Sequence, residues 1–313
     1  MTPAHDGVAV IVPCHNEEAA VGTVVRDLRS ALPDARIYVY DNASTDRTVE
    51  VARDAGAIVR SEPNKGKGNV VRRAFADVDA DVYVLIDGDG TYDASAARLL
   101  VGTLTEGTYD HVLGVRQELS TTAYRRFHAL GNGLLNSLVA AIFGLPVRDM
   151  LSGYRAFSRR FVKSFPALSR EFEIETELTV HAVNLRVPQC EVEVGFTDRP
   201  AGGESKLRTY RDGLRILAWI LKLARYERPL LVYGLLSAVL LVTSLVLGVP
   251  VVVEFAHTGL VERFPTAILA SSLVLLATLA MAGGVLLNAV KRSRNESLRL
   301  MYLSYPAPDR SAR

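Results

Sequence analysis

The sequence predicts an α/β domain with a mostly parallel sheet, followed by a basic amphipathic helix and a two-helix membrane hairpin. Three observations predict this order: strand and helix patterns alternate over the first third of the chain, two long apolar stretches lie near the C-terminus, and a basic segment precedes them. Alternating strands and helices form a mostly parallel sheet covered by helices on both faces. Only Cys14 and Cys190 occur, without metal-ligand spacing, which favours a reducing compartment over a disulfide framework.

The strand patterns are short and rich in β-branched residues and Tyr, whereas the helical patterns have apolar residues three or four positions apart. The predicted strands cover residues 8–12, 37–40, 57–59 and 82–86, and the predicted helices between them cover residues 17–30, 46–54 and 67–76. The loops 13–16, 41–45 and 87–93 each follow a strand. We therefore expect them to gather at one edge of the sheet, where open α/β sheets bind ligands.

The strongest chemical signal is the run VYVLIDGDGTYD at residues 82–93, in which an apolar strand pattern ends in Asp87, Gly88 and Asp89. Two carboxylates two residues apart at a strand end, beside small glycines, suit a divalent cation that keeps water ligands and bridges phosphate oxygens. Asp87 and Asp89 are therefore the predicted ligands of Mg²⁺ or Mn²⁺. A polar turn without a ligand is the alternative for this triplet taken alone.

Two further loops at the same edge carry groups suited to a nucleotide. Asp41, after the second predicted strand, is placed to accept hydrogen bonds from a base or a ribose, and a capping turn without a ligand explains the stretch equally well. The basic loop with Lys65, Gly66 and Lys67 is predicted to contact a diphosphate. It matches neither a Walker A loop nor a dinucleotide-binding fingerprint.

Two uncharged apolar stretches raise the mean hydropathy of the chain to +0.17. Residues 230–253 and 264–290 each exceed the roughly 20 helical residues that cross a bilayer, so we predict a transmembrane hairpin over residues 229–290. Because Lys and Arg flank its outer ends, residues 1–207 and a basic tail at residues 291–313 are expected in the cytoplasm. A buried helical hairpin of a soluble protein is the alternative.

Residues 208–228 are predicted to form a basic amphipathic helix at the membrane surface, immediately before the first apolar stretch. One side of this helix carries five basic residues, Arg208, Arg211, Arg215, Lys222 and Arg225. The opposite side is apolar, as expected at an anionic membrane surface. A helix packed on the preceding domain is the alternative.

Several runs together resemble a known family. In order and spacing, VIVPCHNEE, YDNASTDRT, NKGKGNVVRRAF and LIDGDGTYD resemble the family-2 inverting glycosyltransferases of GT-A fold. The later runs DMLSGYRAFSR, FEIETEL and GESKLRTYRDG, with the hairpin, resemble more narrowly the polyprenyl-phosphate and dolichyl-phosphate glycosyltransferases, the group similar to dolichyl-phosphate mannose synthase. The resemblance implies that Asp41 holds the base of the donor and that Asp87 and Asp89 hold Mg²⁺ or Mn²⁺ on its diphosphate.

The donor site implied by these runs is wider than the three acidic residues. Its other expected members are Pro13, Asn16, Glu17, Asn42, Lys65, Gly66, Lys67, Gly88 and Ser205. The chain departs from the family pattern at Asn42, where many relatives have a second Asp, and in reading Asp-Gly-Asp-Gly where many read Asp-Ala-Asp-Leu. These departures bear on which nucleotide and sugar are bound.

The implied reaction is inverting transfer of a hexose from a UDP- or GDP-sugar to a polyprenyl monophosphate of undecaprenyl or dolichyl type. Because such a phosphate has a second pKa of about 6, it is largely dianionic at neutral pH and needs no strong protein base. Arg155, Arg199 and Lys206 are the expected cations around it. Together with Asp89 they are the expected catalytic residues, and Glu175 is expected near the sugar, in a segment compatible with a strand or a helix.

Two other function classes are compatible with the sequence. One is a membrane glycosyltransferase with a hydroxyl acceptor, in glycolipid or polysaccharide synthesis, for which Glu175 would be the base. The other is a non-catalytic membrane anchor that binds a nucleotide sugar, and intact Asp87 and Asp89 argue against it. The expected partners are the nucleotide-sugar donor, the lipid acceptor and the inner (cytoplasmic) membrane. The resemblance adds a homo-oligomer, and no nucleic acid is expected.

Overall fold

The protein is described by a computed structural model that covers residues 7–118, 148–171, 173–197, 225 and 228–308. The chain divides into two units. The first combines Met1–Arg208 with Ser297–Arg313, and the second is Thr209–Glu296. The hairpin is therefore inserted, in sequence, between two parts of one unit. The predicted helix at residues 208–228 lies almost entirely outside the described residues.

The first unit contains a seven-stranded sheet among the described residues. Its strands are β1 Val8–Cys14, β2 Arg36–Asp41, β3 Ile58–Ser61, β4 Val82–Leu85, β5 His111–Glu118, β6 Arg155–Ser158 and β7 Gln189–Phe196. Their order across the sheet is β3-β2-β1-β4-β6-β5-β7. β6 runs antiparallel to β4 and β5, and the other pairs are parallel. The predicted α/β fold with a mostly parallel sheet is confirmed.

Helices cover both faces of this sheet. On one face lie α1 Val21–Ala31, α2 Thr48–Asp54 and α4 Ala97–Glu106, and on the other lie α3 Lys67–Asp77, α5 Arg159–Ser164 and α6 Ile174–Leu185. Alternate residues of one strand enter different cores: Val10 faces the first set of helices and Ile11 the second. Burial on both faces explains why the strands read as continuous apolar runs rather than as alternating ones.

The first helix begins later than its periodicity predicts. α1 starts at Val21, whereas the apolar pattern predicts a start at residue 17. The backbone N–H of Glu17 donates to Thr48 Oγ1 at 2.8 Å, and that of Glu18 donates to Asp46 Oδ2 at 3.2 Å. These tertiary contacts hold residues 17–20 as a turn against the start of α2.

The described part of the second unit consists mainly of two long helices, α7 at Pro229–Thr258 and α8 at Phe264–Leu303, of which α8 belongs to this unit as far as Glu296. Both are long and apolar enough to cross a membrane, and most of their apolar side chains are exposed. The predicted spans 230–253 and 264–290 lie within them. The observed helices extend beyond the spans because helical structure does not stop where the apolar composition ends.

Small residues line the contact between α7 and α8. Ser244 Oγ donates to the carbonyl of Ala270 at 2.8 Å, and Gly248 lies close to the same Ala270. Ser237 in α7 and Ala277 in α8 are also buried. Small residues let two helix backbones approach closely, which is how helices associate where lipid removes the hydrophobic driving force.

The end of α8, from Ser297 onwards, belongs to the first unit and lies within the tail predicted at residues 291–313. Tyr302 is 2% exposed and joins the core between the sheet and α3, α5 and α6. Its hydroxyl donates to Asp110 Oδ2 at 2.7 Å. Asp110 is fully buried and also accepts hydrogen bonds from Arg160 and Ser158. The tail therefore supplies part of the domain core.

Replacing Tyr302 with Phe should lower the free energy of unfolding by about 1–3 kcal/mol, because the buried carboxylate loses a donor while the ring packing is kept. Thermal unfolding of the detergent-solubilised protein measures this as a fall of several degrees in Tm. Tyr305→Phe is the control, because Tyr305 is half-buried and its ring lies against Arg159. An unchanged Tm for Tyr302→Phe would contradict the role assigned to the tail.

Candidate active site

The loops after β1, β2 and β4 meet at one edge of the sheet. Cys14 and Asp41 are paired across β1 and β2. On the other side of β1, a Cβ atom at Gly88 would collide with Cys14 Sγ, so Gly88 lies directly against the end of β1. Asp41 and Asp87 therefore flank the end of the same central strand, which agrees with the sequence prediction.

Lys67, the first residue of α3, joins two acidic residues from different parts of the fold. Its Nζ contacts Oδ1 of Asp87 and lies 2.6 Å from Oε1 of Glu175. The Lys67 side chain is 8% exposed. Burial alone would lower the pKa of Lys67, but the two carboxylates outweigh it and hold that pKa above its ordinary value. The site therefore contains a permanent ammonium beside Asp87.

Glu175 lies in the first turn of α6, so the FEIETEL segment is helical in the described residues. As expected for a helix, its glutamates diverge: Glu175 contacts Lys67, and Glu177 accepts hydrogen bonds from the backbone of Leu168 and Ser169. Oε2 of Glu175 is buried and has no hydrogen-bond partner in the part of the chain that the structure describes. Burial, together with the nearby charge of Asp87, raises the pKa of Glu175 above its ordinary value, although Lys67 lowers it.

The second acidic residue of the triplet is ordered by its own turn. Oδ1 of Asp89 accepts hydrogen bonds from the backbone N–H of Thr91 at 3.1 Å and from its Oγ1 at 2.7 Å. Across the described ranges, no group of three or more His, Cys, Asp or Glu residues is arranged to hold a metal. Asp87 and Asp89 fit Mg²⁺ or Mn²⁺, which bind through one or two carboxylates and complete their coordination with water and phosphate oxygens.

Gly153 is a site residue that the sequence reasoning missed. A Cβ atom there would collide with Asp87 Oδ2 and lie 2.8 Å from Lys67 Nζ. Its backbone N–H donates to the hydroxyl of Tyr92 at 2.9 Å, which holds it in place. The sequence feature that could have identified it is the glycine of the SGYR run, two residues before Arg155.

Arg155 does not face the open edge, contrary to its predicted role as a phosphate-binding cation. It is fully buried, and its guanidinium donates to the carbonyls of Met150 and Ser152 and to Thr179 Oγ1. Burial lowers the pKa of Arg155 to about 10. Its N–H groups are hydrogen-bonded to the segment before β6 and to the middle of α6. Arg155 therefore orders the region around Gly153 instead of contacting the phosphate of an acceptor substrate.

The first two loops are bonded to each other. The backbone N–H of Asn16 donates to Ser44 Oγ at 2.9 Å, and Asn16 Oδ1 accepts from the backbone N–H of Thr45 at 2.8 Å. Asp41 is buried, and its carboxylate accepts from the backbone N–H of Ser44. Pro13 is half-buried at the end of β1. These contacts hold Asp41 in place at the end of β2.

The basic loop after β3 reaches the same edge. Lys65 is exposed, and Gly66 has a φ of 124°, in the region that favours glycine. A Cβ atom at Gly66 would collide with the carbonyl of Arg170. The side chain of Asn42 is buried against this loop rather than facing the open edge. The predicted residues Arg199, Ser205 and Lys206 lie outside the described residues.

Comparisons with known proteins identify the family of the chain. The family model Glycosyl transferase family 2 matches residues 9–165. Glycosyltransferase AglJ of Haloferax volcanii is 36% identical over 255 residues, covering 81% of this chain and 84% of its own length. Dolichyl-phosphate hexose transferase of the same organism is 29% identical over 223 residues, covering 71% of this chain and 96% of its own.

Solved structures share the fold. Glucosyl-3-phosphoglycerate synthase from Mycobacterium tuberculosis, in complex with Mn²⁺, UDP and phosphoglyceric acid, superposes with a TM-score of 0.57 at 25% identity. The match covers 70% of this chain and 78% of that one. The family model spans half of this chain, and AglJ is similar over most of its length. The chain therefore belongs to glycosyl transferase family 2 and is a glycosyltransferase.

Proposed function

We propose that this glycosyltransferase moves a hexose from a UDP- or GDP-sugar to a polyprenyl monophosphate, with inversion of the anomeric configuration, at the cytoplasmic face of the inner membrane. The observation that carries the proposal is an acidic pair, Asp87 and Asp89, at the ligand-binding edge of a chain that also has two helices apolar enough to cross a membrane.

The donor is assigned to the edge formed by β1, β2 and β4. Asp41 is the proposed contact for the base or ribose, and Asp87 and Asp89 are the proposed ligands of Mg²⁺ or Mn²⁺. When bound, the ion would act as a Lewis acid that neutralises charge on the departing nucleoside diphosphate. Lys67 holds Asp87 in place, and Gly153 leaves room for that contact. The Mn²⁺ and UDP of the Mycobacterium tuberculosis structure support this assignment.

Three observations support a lipid phosphate as the acceptor: the charge of the phosphate, the two apolar helices and the name of one relative. The name of the Haloferax volcanii dolichyl-phosphate hexose transferase supports a lipid phosphate. Arg199 and Lys206, which precede the predicted interfacial helix, are the proposed cations for it. Lys291, Arg292 and Arg294 follow the second span, which supports placing the domain in the cytoplasm by the positive-inside rule.

The proposed reaction is a single displacement. An oxygen of the dianionic acceptor phosphate attacks the anomeric carbon on the face opposite the nucleoside diphosphate. One carbon–oxygen bond forms as the other breaks, and the bonding electrons leave with the diphosphate. No proton has to be removed from the acceptor. The protein's task is to hold two anionic groups in line, which requires fixed positive charge on both sides.

Glu175 favours a second candidate, a glycosyltransferase with a hydroxyl acceptor. Its Oε2 is buried and unpartnered among the described residues, and burial raises its pKa, as for a general base. Its Oε1, however, is bound to Lys67. In the lipid-phosphate reaction, Glu175 instead keeps the Lys67 ammonium in place and offers Oε2 to a sugar hydroxyl.

Replacing Asp89 with Asn should lower kcat/KM by about a hundredfold or more, because the Lewis acid contributes several kcal/mol to stabilising the transition state. Mn²⁺ together with UDP or GDP should raise the Tm of the unaltered protein but not that of the variant. Asp93→Asn is the matched control, because Asp93 is exposed and caps a short helix, a position where Asn serves equally well. Full activity of Asp89→Asn would remove the metal assignment.

The acceptor class is tested with purified protein, Mn²⁺ and labelled UDP- and GDP-sugars, comparing undecaprenyl phosphate with diacylglycerol. We expect a labelled, acid-labile lipid only with the phosphate acceptor. Transfer to diacylglycerol alone would contradict the proposal and favour the hydroxyl acceptor.

The same assay defines the role of Glu175 through the Glu175→Gln variant. With a phosphate acceptor, we expect this variant to keep most of its kcat, because no base is required and the amide oxygen of Gln can still accept a hydrogen bond from Lys67. A fall of about 10²- to 10⁴-fold is the outcome for a general base. Glu173→Gln, at the N-terminal end of the same helix, makes the same chemical change two residues away and serves as the control.

A further inference from the structure

Asn42, which follows β2, bonds through its side chain to the loop after β3 and through its backbone to the end of β1. Its Nδ2 donates to the carbonyls of Glu62 and Asn64, both at 2.8 Å, and its Oδ1 accepts from the backbone N–H of Gly66 at 2.7 Å. Its own backbone N–H donates to the carbonyl of Cys14 at 2.8 Å. With only 7% of its surface exposed, Asn42 connects the ends of β1 and β2 to the loop after β3.

That loop, residues 62–66, is also tied internally. Glu62 is buried, and its Oε1 accepts from the backbone N–H of Asn64 at 2.9 Å and from its Nδ2 at 2.7 Å. The backbone N–H of Glu62 donates to the carbonyl of Asp41 at 2.8 Å. Asn69 Nδ2 donates to the carbonyl of Lys65 at 2.9 Å. The loop is therefore held in one conformation that starts beside Asp41.

The same loop leads directly into α3. Gly66, whose N–H is held by Asn42, immediately precedes Lys67, and Lys67 contacts Asp87 and Glu175. A shift of Gly66 would move Lys67, because adjacent residues share a peptide plane. Asn42 is thus next to Asp41 in the sequence. It also binds Gly66, which is next to Lys67, the cation that contacts Asp87.

We propose that Asn42 is a positioning residue that sets the distance between the end of β2, where the base or ribose of the donor is bound, and the start of α3, which faces its diphosphate. The proposal rests on the donor site of the proposed function and names the residue that preforms it. Asn42 acts through the loop and does not itself contact the nucleotide.

The chemistry of the contact requires an amide. A carboxylate at this position would still accept from Gly66, but its second oxygen would face the carbonyls of Glu62 and Asn64 with no proton to share. The carbonyl of Glu62, which is buried, and that of Asn64, which is partly buried, would then lose the Asn42 donor, at a cost of about 1–3 kcal/mol. A protonated carboxyl would donate to one of them again. Burial beside two carbonyl oxygens should raise the pKa of the introduced carboxyl well above the ordinary Asp value of about 4, so the effect of the substitution should depend on pH between about 6 and 8.

The test is calorimetric binding of UDP and of GDP, each with Mn²⁺, to the full chain and to Asn42→Asp and Asn42→Ala. At about pH 8, both variants should bind the better nucleotide about tenfold more weakly. At about pH 6, measured relative to the unaltered protein at the same pH, Asn42→Asp should recover part of its affinity and Asn42→Ala should not. A role in stability alone would not produce this difference.

Two further variants make the result decisive. Asn184→Asp, in α6, introduces the same charge change outside the donor site and should bind like the unaltered protein. Glu62→Ala removes the two hydrogen bonds that Glu62 accepts from Asn64 in the same loop, without changing Asn42, and should also weaken nucleotide binding. This variant replaces Asn42→Asp in the test if Asn42→Asp does not fold. Unchanged affinity in Asn42→Asp would overturn the inference about Asn42 but leave the proposed function standing. If Asn42→Asp does not fold, unchanged affinity in Glu62→Ala would have the same meaning. Failure of the unaltered protein to bind either nucleotide would overturn the proposed function, and the inference with it.

Discussion

The ammonium of Lys67 between the carboxylates of Asp87 and Glu175 is the interaction on which the site depends. It joins the start of α3, the loop after β4 and the first turn of α6, which are far apart in sequence. Removing one partner from a buried ion pair typically costs about 3–5 kcal/mol, because the remaining charge is left uncompensated. Here two carboxylates would be left facing each other. Lys67 therefore compensates the charges of both Asp87 and Glu175 at this edge of the sheet.

This contact requires backbones to approach more closely than most side chains allow. Cβ atoms at Gly66 and Gly68 would collide with the carbonyls of Arg170 and Ser169, and one at Gly153 would collide with Asp87. Two amides of the same 168–170 segment are held by the carboxylate of Glu177. Glycine is thus required where α3 meets a neighbouring loop, and the glutamates of α6 hold both Lys67 and that loop in place.

The core of the first unit is completed from the other end of the chain. Tyr302 reaches Asp110 across 192 positions of sequence. Asp110 lies at the start of β5, whereas the site lies where the parallel strands β1, β2 and β4 end. The tail therefore stabilises the edge of the sheet opposite the site. It contributes to the stability of the domain and has no contact with the proposed donor site among the described residues. An apolar hairpin inserted into such a unit leaves the domain dependent on residues from both sides of the insertion.

Local sequence patterns were enough to predict the alternating strands and helices, the parallel sheet, the acidic pair at its edge and the two long apolar helices. These features depend on local periodicity, on turn residues and on composition, all of which are contained in short stretches of chain. The tertiary structure alone decided that Arg155 is buried, that Glu175 is helical and bound to Lys67, that Asn42 holds a loop and that Tyr302 enters the core. Each of these outcomes depends on which distant segment packs against the residue, and local patterns do not encode that choice.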